Sequence, residues 1–267
     1  MEPALFRQII DDTHRELLFL LLYFQGEPFL HSSLCEMIRY ARDHNIYTAT
    51  STNGHFLRDE AAAQAVVDSG LNVLIVSLDG PDQESYAHYR QGGKLEMVLD
   101  GIQRLMAARD AAGSTMKVYL QCLVFRHIEH RLDEIRHIAD ELGIDRLLLK
   151  SAQIYEHTPD IASWLPENSR YRRYTDTNGQ LTLQGDFTRG CSKLWTSPVV
   201  TFDGQVVPCC FDKDADHASG TVTDTIPFTR IWNSDNNLAF RQRLVQNRMD
   251  IPMCRNCTEG VRIFRGS

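Results

Sequence analysis

Along the first 150 positions apolar residues fall into two alternating patterns. Residues 3–16 place Leu5, Phe6, Ile9 and Ile10 on one helical face at i, i+4 spacing. Leu17–Phe24 follows as a continuous apolar run that reads as a strand. Helices are then predicted over 32–44, 57–69, 96–112 and 131–142, the last two ended by Gly113 and Gly143. Between them lie strands at Ile46–Thr50, Asn72–Val76, Lys117–Phe125 and Ile144–Lys150. Near-continuous apolar strands alternating with helices predict parallel strands covered by helices. Right-handed crossovers set sequential strands side by side. The pattern predicts an α/β fold with five parallel strands, short of the eight that close a barrel.

Residues 152–190 break this rhythm. They are polar, rich in Asp, Asn, Arg, Tyr and Pro, and read as a linker with little regular structure. A second, smaller domain opens at Cys191. Val199–Val207 reads as a hairpin around Asp203-Gly204, a pair suited to a two-residue type I′ turn. That register sets Cys209 opposite Pro198 and lets Cys191 fold back towards Cys209 and Cys210. A helical turn is predicted around Phe228–Trp232, then a helix capped by Ser234 and running to about Gln246. The expected domains are 1–151, a linker 152–190, and 191–267.

Charge and composition narrow the function. The net charge of -7 argues against a nucleic-acid or anionic-membrane partner. The run Leu17–Phe24 is too short to span a bilayer, and Gly26-Glu27-Pro28 after it is no signal-cleavage site, so a cytoplasmic location is expected. Seven cysteines, an odd count, do not suggest a disulfide scaffold. Five of them, Cys191, Cys209, Cys210, Cys254 and Cys257, sit in the last third in a metal-site arrangement. Thiolates so grouped suit a [4Fe–4S] cluster or a tetrahedral Zn²⁺, and ligand type alone does not separate the two. Cys35 and Cys122 read as core residues. His127, His130 and His137 read as a solvated helix face, and Tyr171-Arg172-Arg173-Tyr174 as linker surface.

The strand ends carry the other candidate chemistry. They read Gln25-Gly26-Glu27-Pro28, Ser51-Thr52-Asn53-Gly54, Ser77-Leu78-Asp79-Gly80 and Lys150-Ser151. In parallel α/β folds ligands bind at the carboxyl ends of the strands. Any one of these segments is an adequate turn by itself. Three on one rim make a site.

Gly-Glu-Pro, Ser-Thr-Asn-Gly, Ser-Leu-Asp-Gly and Tyr86-x-x-Tyr89-Arg90 together resemble the core of a radical S-adenosylmethionine (SAM) enzyme. Cys191-x17-Cys209, Gly204-x4-Cys209, Ile231-Trp232-Asn233-Ser234 and Cys254-x-x-Cys257 resemble the SPASM/twitch extension of that superfamily. The resemblance implies a partial (β/α) barrel of the TIM type followed by a cysteine-rich iron–sulfur domain. It implies two cofactors, SAM and an auxiliary [4Fe–4S] cluster. By position, the backbone at Gly26, Glu27 and Pro28 receives the SAM amino group. Ser77 and Asp79 lie near its ribose or carboxylate, Arg90 pairs with the carboxylate, and Asn53 borders the pocket. Gln25 stands where the family usually has another glycine. Cys191, Cys209, Cys254 and Cys257 are the implied cluster ligands, with Cys210 the spare.

The family's SAM-cleaving cluster is held by a C-x3-C-x2-C loop after its first strand, and no such triplet occurs in this sequence. The expectation is a radical SAM/SPASM oxidoreductase that lacks its first strand and is inactive alone. In intact form the resemblance implies SAM cleavage to a 5′-deoxyadenosyl radical that abstracts hydrogen from a peptide, protein or small-molecule substrate. The alternatives are a non-catalytic SAM- or peptide-binding protein and a zinc-stabilised structural protein. The apolar run 17–24 would lie at an open sheet edge, so self-association or complementation there is expected.

Overall fold

The computed structural model describes residues 1–155, 160–177, 180–187, 190–259 and 261–262. The chain divides into two compact units, Leu18–Arg173 and a second made of Met1–Leu17 with Tyr174–Ser267.

The Leu18–Arg173 unit is built on five parallel strands, β1 (Phe19–Leu21), β2 (Tyr47–Thr52), β3 (Val73–Ser77), β4 (Lys117–Val124) and β5 (Arg146–Ser151), in sequential order. The connecting helices are α2 (Leu34–Asp43), α3 (Glu60–Asp68), α5 (Leu95–Ala111) and α6 (Leu132–Glu141), where α1 denotes the N-terminal helix Pro3–Thr13. With sequential order and crossovers of one hand, every connecting helix falls on the same face of the sheet. Leu74, Val76, Leu78, Val118, Leu120 and Cys122 point to that face and pack on Ile38, Val66, Ile102 and Ile135 of the helices. Alternation sends Phe19, Leu21, Tyr47, Tyr119 and Gln121 to the other face. It stays partly open: Phe19 is 50 % and Tyr47 45 % exposed, their rings stacked at 5.9 Å.

The apolar run 17–24 yields a strand of only three residues, Phe19–Leu21, shorter than its hydrophobicity predicts. Strand β1 bonds to β2 on one side only; among the described residues no strand pairs with its outer edge. Leu18 beside it is 83 % exposed. Helix α4 (Gln83–Tyr89), which periodicity did not reveal because it is two turns long, begins at the β3 rim under the cap of Asp82.

The predicted boundaries differ from the observed ones. Helix α1 does not open the sheet unit. Its Leu5 and Ile9 pack against Val206, Phe228 and Ile231, and Asp12 accepts hydrogen bonds from the Thr229 N–H at 2.8 Å and hydroxyl at 3.0 Å. An amphipathic helix is equally satisfied by any apolar face, so its pattern could not say which unit it joins. The stretch 152–190, expected to hold little regular structure, carries short elements among its described residues. Ile161–Trp164 is a helical turn, and Tyr174–Thr177 and Gln180–Leu183 form an antiparallel ribbon. Tyr171 and Tyr174 are buried, the first against Val124 and Leu132, so the Tyr171–Tyr174 segment is not a surface run.

In the second unit the hairpin pairs Val199–Val200 with Gln205–Val207, Val206 opposite Val200. This is one residue off the predicted register. Thr201 N–H bonds Gln205 O, leaving Phe202-Asp203-Gly204 as a three-residue loop with Gly204 left-handed at φ +88. Gly204 therefore supplies a bulge after the turn rather than half of a type I′ pair. Val207 faces Val199, so the pairing of Cys209 with Pro198 does not arise. Phe228–Trp232 is helical, and Ser234 caps Asp235–Gln246 by accepting from Asn237 N, as predicted.

Gly101 in α5 lets the helix approach the β2 rim. A Cβ there would lie 2.8 Å from Leu57 Cβ and 3.0 Å from Leu57 O. Alanine is the better helix former by about 1 kcal/mol, yet overpacking costs about 1–3 kcal/mol. Gly101→Ala is therefore expected to lower stability in urea unfolding. A rise would show that α5 does not need this close contact.

Candidate functional site: a strand-end rim and a four-cysteine cavity

The rim at the carboxyl end of the sheet is stitched by carboxylates. Gly26 turns the chain after β1 at φ +75 with open space where a Cβ would be. Pro28 then starts a short 3-10 turn, Pro28–Leu30. The Glu27 carboxylate accepts from Phe29 N at 3.2 Å and from Asn53 N at 2.6 Å, tying the β1 end to the β2 end. The Asn53 amide oxygen accepts from His55 N at 3.0 Å, and His55 Nε2 accepts from Lys94 N at 3.0 Å. Gly54 is left-handed, and a Cβ on it would strike Val98 at 2.8 Å.

Asp79 is fully buried after β3. One of its oxygens accepts from Leu123 N at 2.6 Å, joining β3 to β4; the other meets Arg90 Nε at 2.6 Å. Burial pushes the Asp79 carboxyl up, while the Arg90 guanidinium and the Leu123 N–H pull it down. Its acceptors face protein groups, so Asp79 positions Arg90 rather than offering a free carboxylate. Arg90 spends Nε on Asp79; among the described residues its two terminal nitrogens carry no hydrogen bond. They form the forked donor that suits a ligand carboxylate. Ser77, buried on the open face, stands opposite Gln121 in the ladder, and the buried Gln121 amide oxygen has no hydrogen-bond partner among the described residues. Gln121 is a site candidate that periodicity concealed, because a polar residue inside an apolar strand gives no motif.

Aromatic rings wall this rim. Tyr89 packs on Phe125 at 4.5 Å, Phe125 on Trp164 at 5.7 Å, and His88 on His127 at 4.5 Å. His127 is thus part of a packed ring cluster, not of a solvated face, and burial lowers its pKa, with His88 adding to the effect. His130 does stay exposed, and His137 pairs with Glu141 at 3.1 Å. Lys150 at the end of β5 is exposed.

In the second unit Cys191, Cys209, Cys254 and Cys257 line one small cavity with Leu244 and Met253; Cys210 is exposed and lies outside it. Among the described residues no three His, Cys, Asp or Glu side chains converge on a single-ion position. Three separate stretches deliver the thiols. Cys191 precedes the turn Lys193–Thr196, whose Leu194 O accepts from Arg241 Nε at 3.0 Å. Arg241 also lies over the Trp232 ring at 4.1 Å, so the Ile231–Ser234 motif fixes Cys191 through two links. Cys209 follows the hairpin. Cys254 and Cys257 sit on the turn Pro252–Arg255 and just after it.

Burial pushes the Cys209 thiol up to about 12 and Cys254 to about 11. Backbone N–H groups oppose this: Phe211 N–H on Cys209, and Glu259 N at 3.4 Å from the Cys257 sulfur. Buried thiols with N–H donors aimed at sulfur are stabilised as thiolates once a cation is present. Two of the four sulfurs, those of Cys209 and Cys257, have such donors, and four sulfurs around one apolar hollow fit a [4Fe–4S] cluster. Arg248, 4 % exposed and not suspected from the sequence, spreads its guanidinium over three carbonyls of this turn. Those are Cys254 O at 3.2 Å, Cys257 O at 2.7 Å and Glu259 O at 2.6 Å. Lys193 pairs with Glu259 at 2.7 Å beside the cavity.

A parallel (β/α) sheet with a glycine-turned rim and a four-thiol cavity suits a protein that binds an iron–sulfur cluster. The chain belongs to the radical SAM superfamily, whose family model matches residues 1–135, and carries the SPASM iron-sulfur cluster-binding domain over residues 191–258. Its cofactors are accordingly SAM and a [4Fe–4S] cluster. It is similar to a probable GTP 3',8-cyclase of Halobacterium salinarum, 34% identical over 51% of this chain and 35% of that protein. It is similar also to the mycofactocin maturase MftC of Mycobacterium ulcerans, 30% identical over 51% of this chain and 36% of that protein. The chain thus spans about a third of the length of these curated relatives. Among solved structures it shares its fold with anSMEcpe bound to AdoMet, with a TM-score of 0.61 at 17% identity, covering 98% of this chain and 80% of the other. No helix among the described residues is long and apolar enough to cross a membrane.

Helix α4 sets the position of Arg90, and its N-cap offers a pH test. The Asp82 carboxyl is lowered to about 2, first by the Ser85 N–H, then by Arg131 and the Ser85 hydroxyl. Its folded pKa lies below its unfolded value of about 3.9, so the stabilisation is complete above about pH 4 and is lost as pH falls towards 2. Asp82→Asn is expected to flatten that part of the stability profile. An unchanged acid limb would show that the cap carries none of it.

Proposed function

We propose that the chain binds SAM and an auxiliary cluster and serves an oxidoreductase reaction on a peptide or protein side chain. The observation that carries this reading is the convergence of Cys191, Cys209, Cys254 and Cys257, and not Cys210, on one cavity. In this reading those four hold the [4Fe–4S] cluster. At the rim, Gly26, Glu27 and Pro28 present backbone to the SAM amino group. Arg90 takes the carboxylate with its terminal nitrogens, while Ser77 and Asn53 border the ribose and the pocket. Asp79 acts through Arg90. The cluster on these four cysteines would supply one-electron transfer; hydrogen-atom abstraction would need SAM cleavage at a further cluster, whose C-x3-C-x2-C ligands this sequence does not carry. A peptide substrate is supported by anSMEcpe, which shares this fold and is known in complex with AdoMet and a peptide. The GTP 3',8-cyclase relatives make GTP the competing ligand to test.

Anaerobic reconstitution is expected to give about four irons per chain. Cys209→Ser should lose the cluster and Cys210→Ser should keep it; the reverse outcome would move the ligand to Cys210. SAM binding, followed by calorimetry, should weaken about 10- to 100-fold in Arg90→Met, the value of a charge-assisted hydrogen bond. The sequence carries no C-x3-C-x2-C, so this chain alone should bind SAM without releasing 5′-deoxyadenosine. Binding of GTP but not SAM would overturn the assignment.

We further propose that β1 offers its open edge to a second copy. Unpaired apolar edges associate unless charge or cover prevents it. Sedimentation should show dimers or larger species that Leu18→Lys shifts towards monomer. A monomeric wild-type chain at high concentration would refute this.

A further inference from the structure

We infer that Arg248 is the positioning residue of the cysteine cavity: its guanidinium clamps the turn bearing two of the ligands and supplies a buried positive charge that offsets the thiolates. The inference rests on the reading that the four cysteines hold a [4Fe–4S] cluster.

The clamp follows from geometry. Three carbonyls that Arg248 engages belong to one short stretch, at Cys254, Cys257 and Glu259. That stretch is a single helical turn, Pro252–Arg255, and the residues after it, too short to hold its own shape by helical bonds. The planar fork of arginine reaches acceptors in several directions at once; a lysine ammonium on its flexible stem does not fix them in one plane. The backbone of both thiol-bearing residues is thereby held on a side chain that is itself anchored by the 3-10 turn Arg248–Asp250.

The charge follows from burial. Arg248 is 4 % exposed, so its field is little screened by water. Its guanidinium bonds the carbonyls of both Cys254, at 3.2 Å, and Cys257, at 2.7 Å, so the charge lies directly beside two of the thiol-bearing residues. A cubane on four thiolates carries net negative charge, and reduction adds one electron more. A buried cation favours the more negative state and so raises the reduction potential. The other nearby cation, Lys193, is a weaker candidate. It is partly exposed and already paired with Glu259.

The test uses the full chain reconstituted anaerobically as wild type, Arg248→Gln and Arg248→Lys. Three quantities are read: iron and sulfide per chain, the rate of iron loss to a chelator, and the midpoint potential. Arg248→Gln should show a lower potential and iron loss faster by about 10- to 100-fold, the usual cost of removing a partner outside the ligand shell. Arg248→Lys should lose iron faster than wild type while its potential stays near the wild-type value. A wild-type potential in Arg248→Gln overturns the charge role. A wild-type rate of iron loss in Arg248→Lys overturns the clamp. If Arg248→Gln fails to fold by circular dichroism, the lysine variant decides alone: it must keep the potential and lose iron faster, or the inference falls. Wild-type protein that takes up no iron sinks the cluster reading itself, and this inference with it.

Discussion

The rim depends on one buried carboxylate. Asp79 sits in a place where water cannot solvate it, and an ion there is tolerable only if its oxygens are occupied. Leu123 N–H takes one and Arg90 takes the other. The first bond extends the β3–β4 ladder beyond its last regular pair, Ser77 with Gln121. The second converts a long cation into a fixed one. Removing either partner would leave a charge stranded in the interior, so the strand junction and the orientation of Arg90 are coupled. Glu27 does the same on the neighbouring junction, holding Asn53 N–H and so the β1 and β2 ends together. The acidic residues that look like ligand contacts in a motif are, in three dimensions, the ties that hold other groups ready.

That division of labour explains what the sequence disclosed and what it hid. The strand–helix alternation was legible because each element of the sheet unit has one covered face with a clear period. The Ser234 cap was legible because capping is local chemistry. The four thiols were legible as a set, since their spacing matched a known pattern, although the hairpin geometry meant to bring Cys209 into place was off by one residue. Gly204 could serve either a two-residue turn or a bulge, and the sequence Asp-Gly does not choose. Helix α1 was legible as a helix but not as a part of the second unit, since amphipathicity names no partner. Arg248 was not legible at all. A buried arginine and an exposed one are written alike, and only its three carbonyl partners reveal it.

The two units solve the same problem with opposite chemistry. On the rim an anion, Asp79, is buried and a cation, Arg90, is left with free donors that would meet a carboxylate. In the cysteine cavity a cation is buried and four sulfurs face an apolar hollow. Each site therefore keeps unspent the kind of group its cofactor lacks. Both depend on glycine or short turns rather than on long elements, because those let backbone and side chain come close to a ligand. Gly26 does so openly, with nothing where its side chain would be, whereas Gly54 is hemmed in by Val98 and serves packing instead.

Arg248 extends this logic to redox chemistry. A cluster that only fastened the fold together would need its thiolates held, and neutral carbonyl-binding groups could do that. A buried guanidinium does more, since its charge discriminates between oxidation states that share one geometry. The same contact therefore has a structural part, set by the three carbonyls, and an electronic part, set by the charge. Lysine keeps the second and loses the first; glutamine loses both. If the two parts separate in that way, the cavity is tuned for electron transfer and is not merely a staple, and the SPASM unit of this chain contributes to the chemistry as well as to its stability.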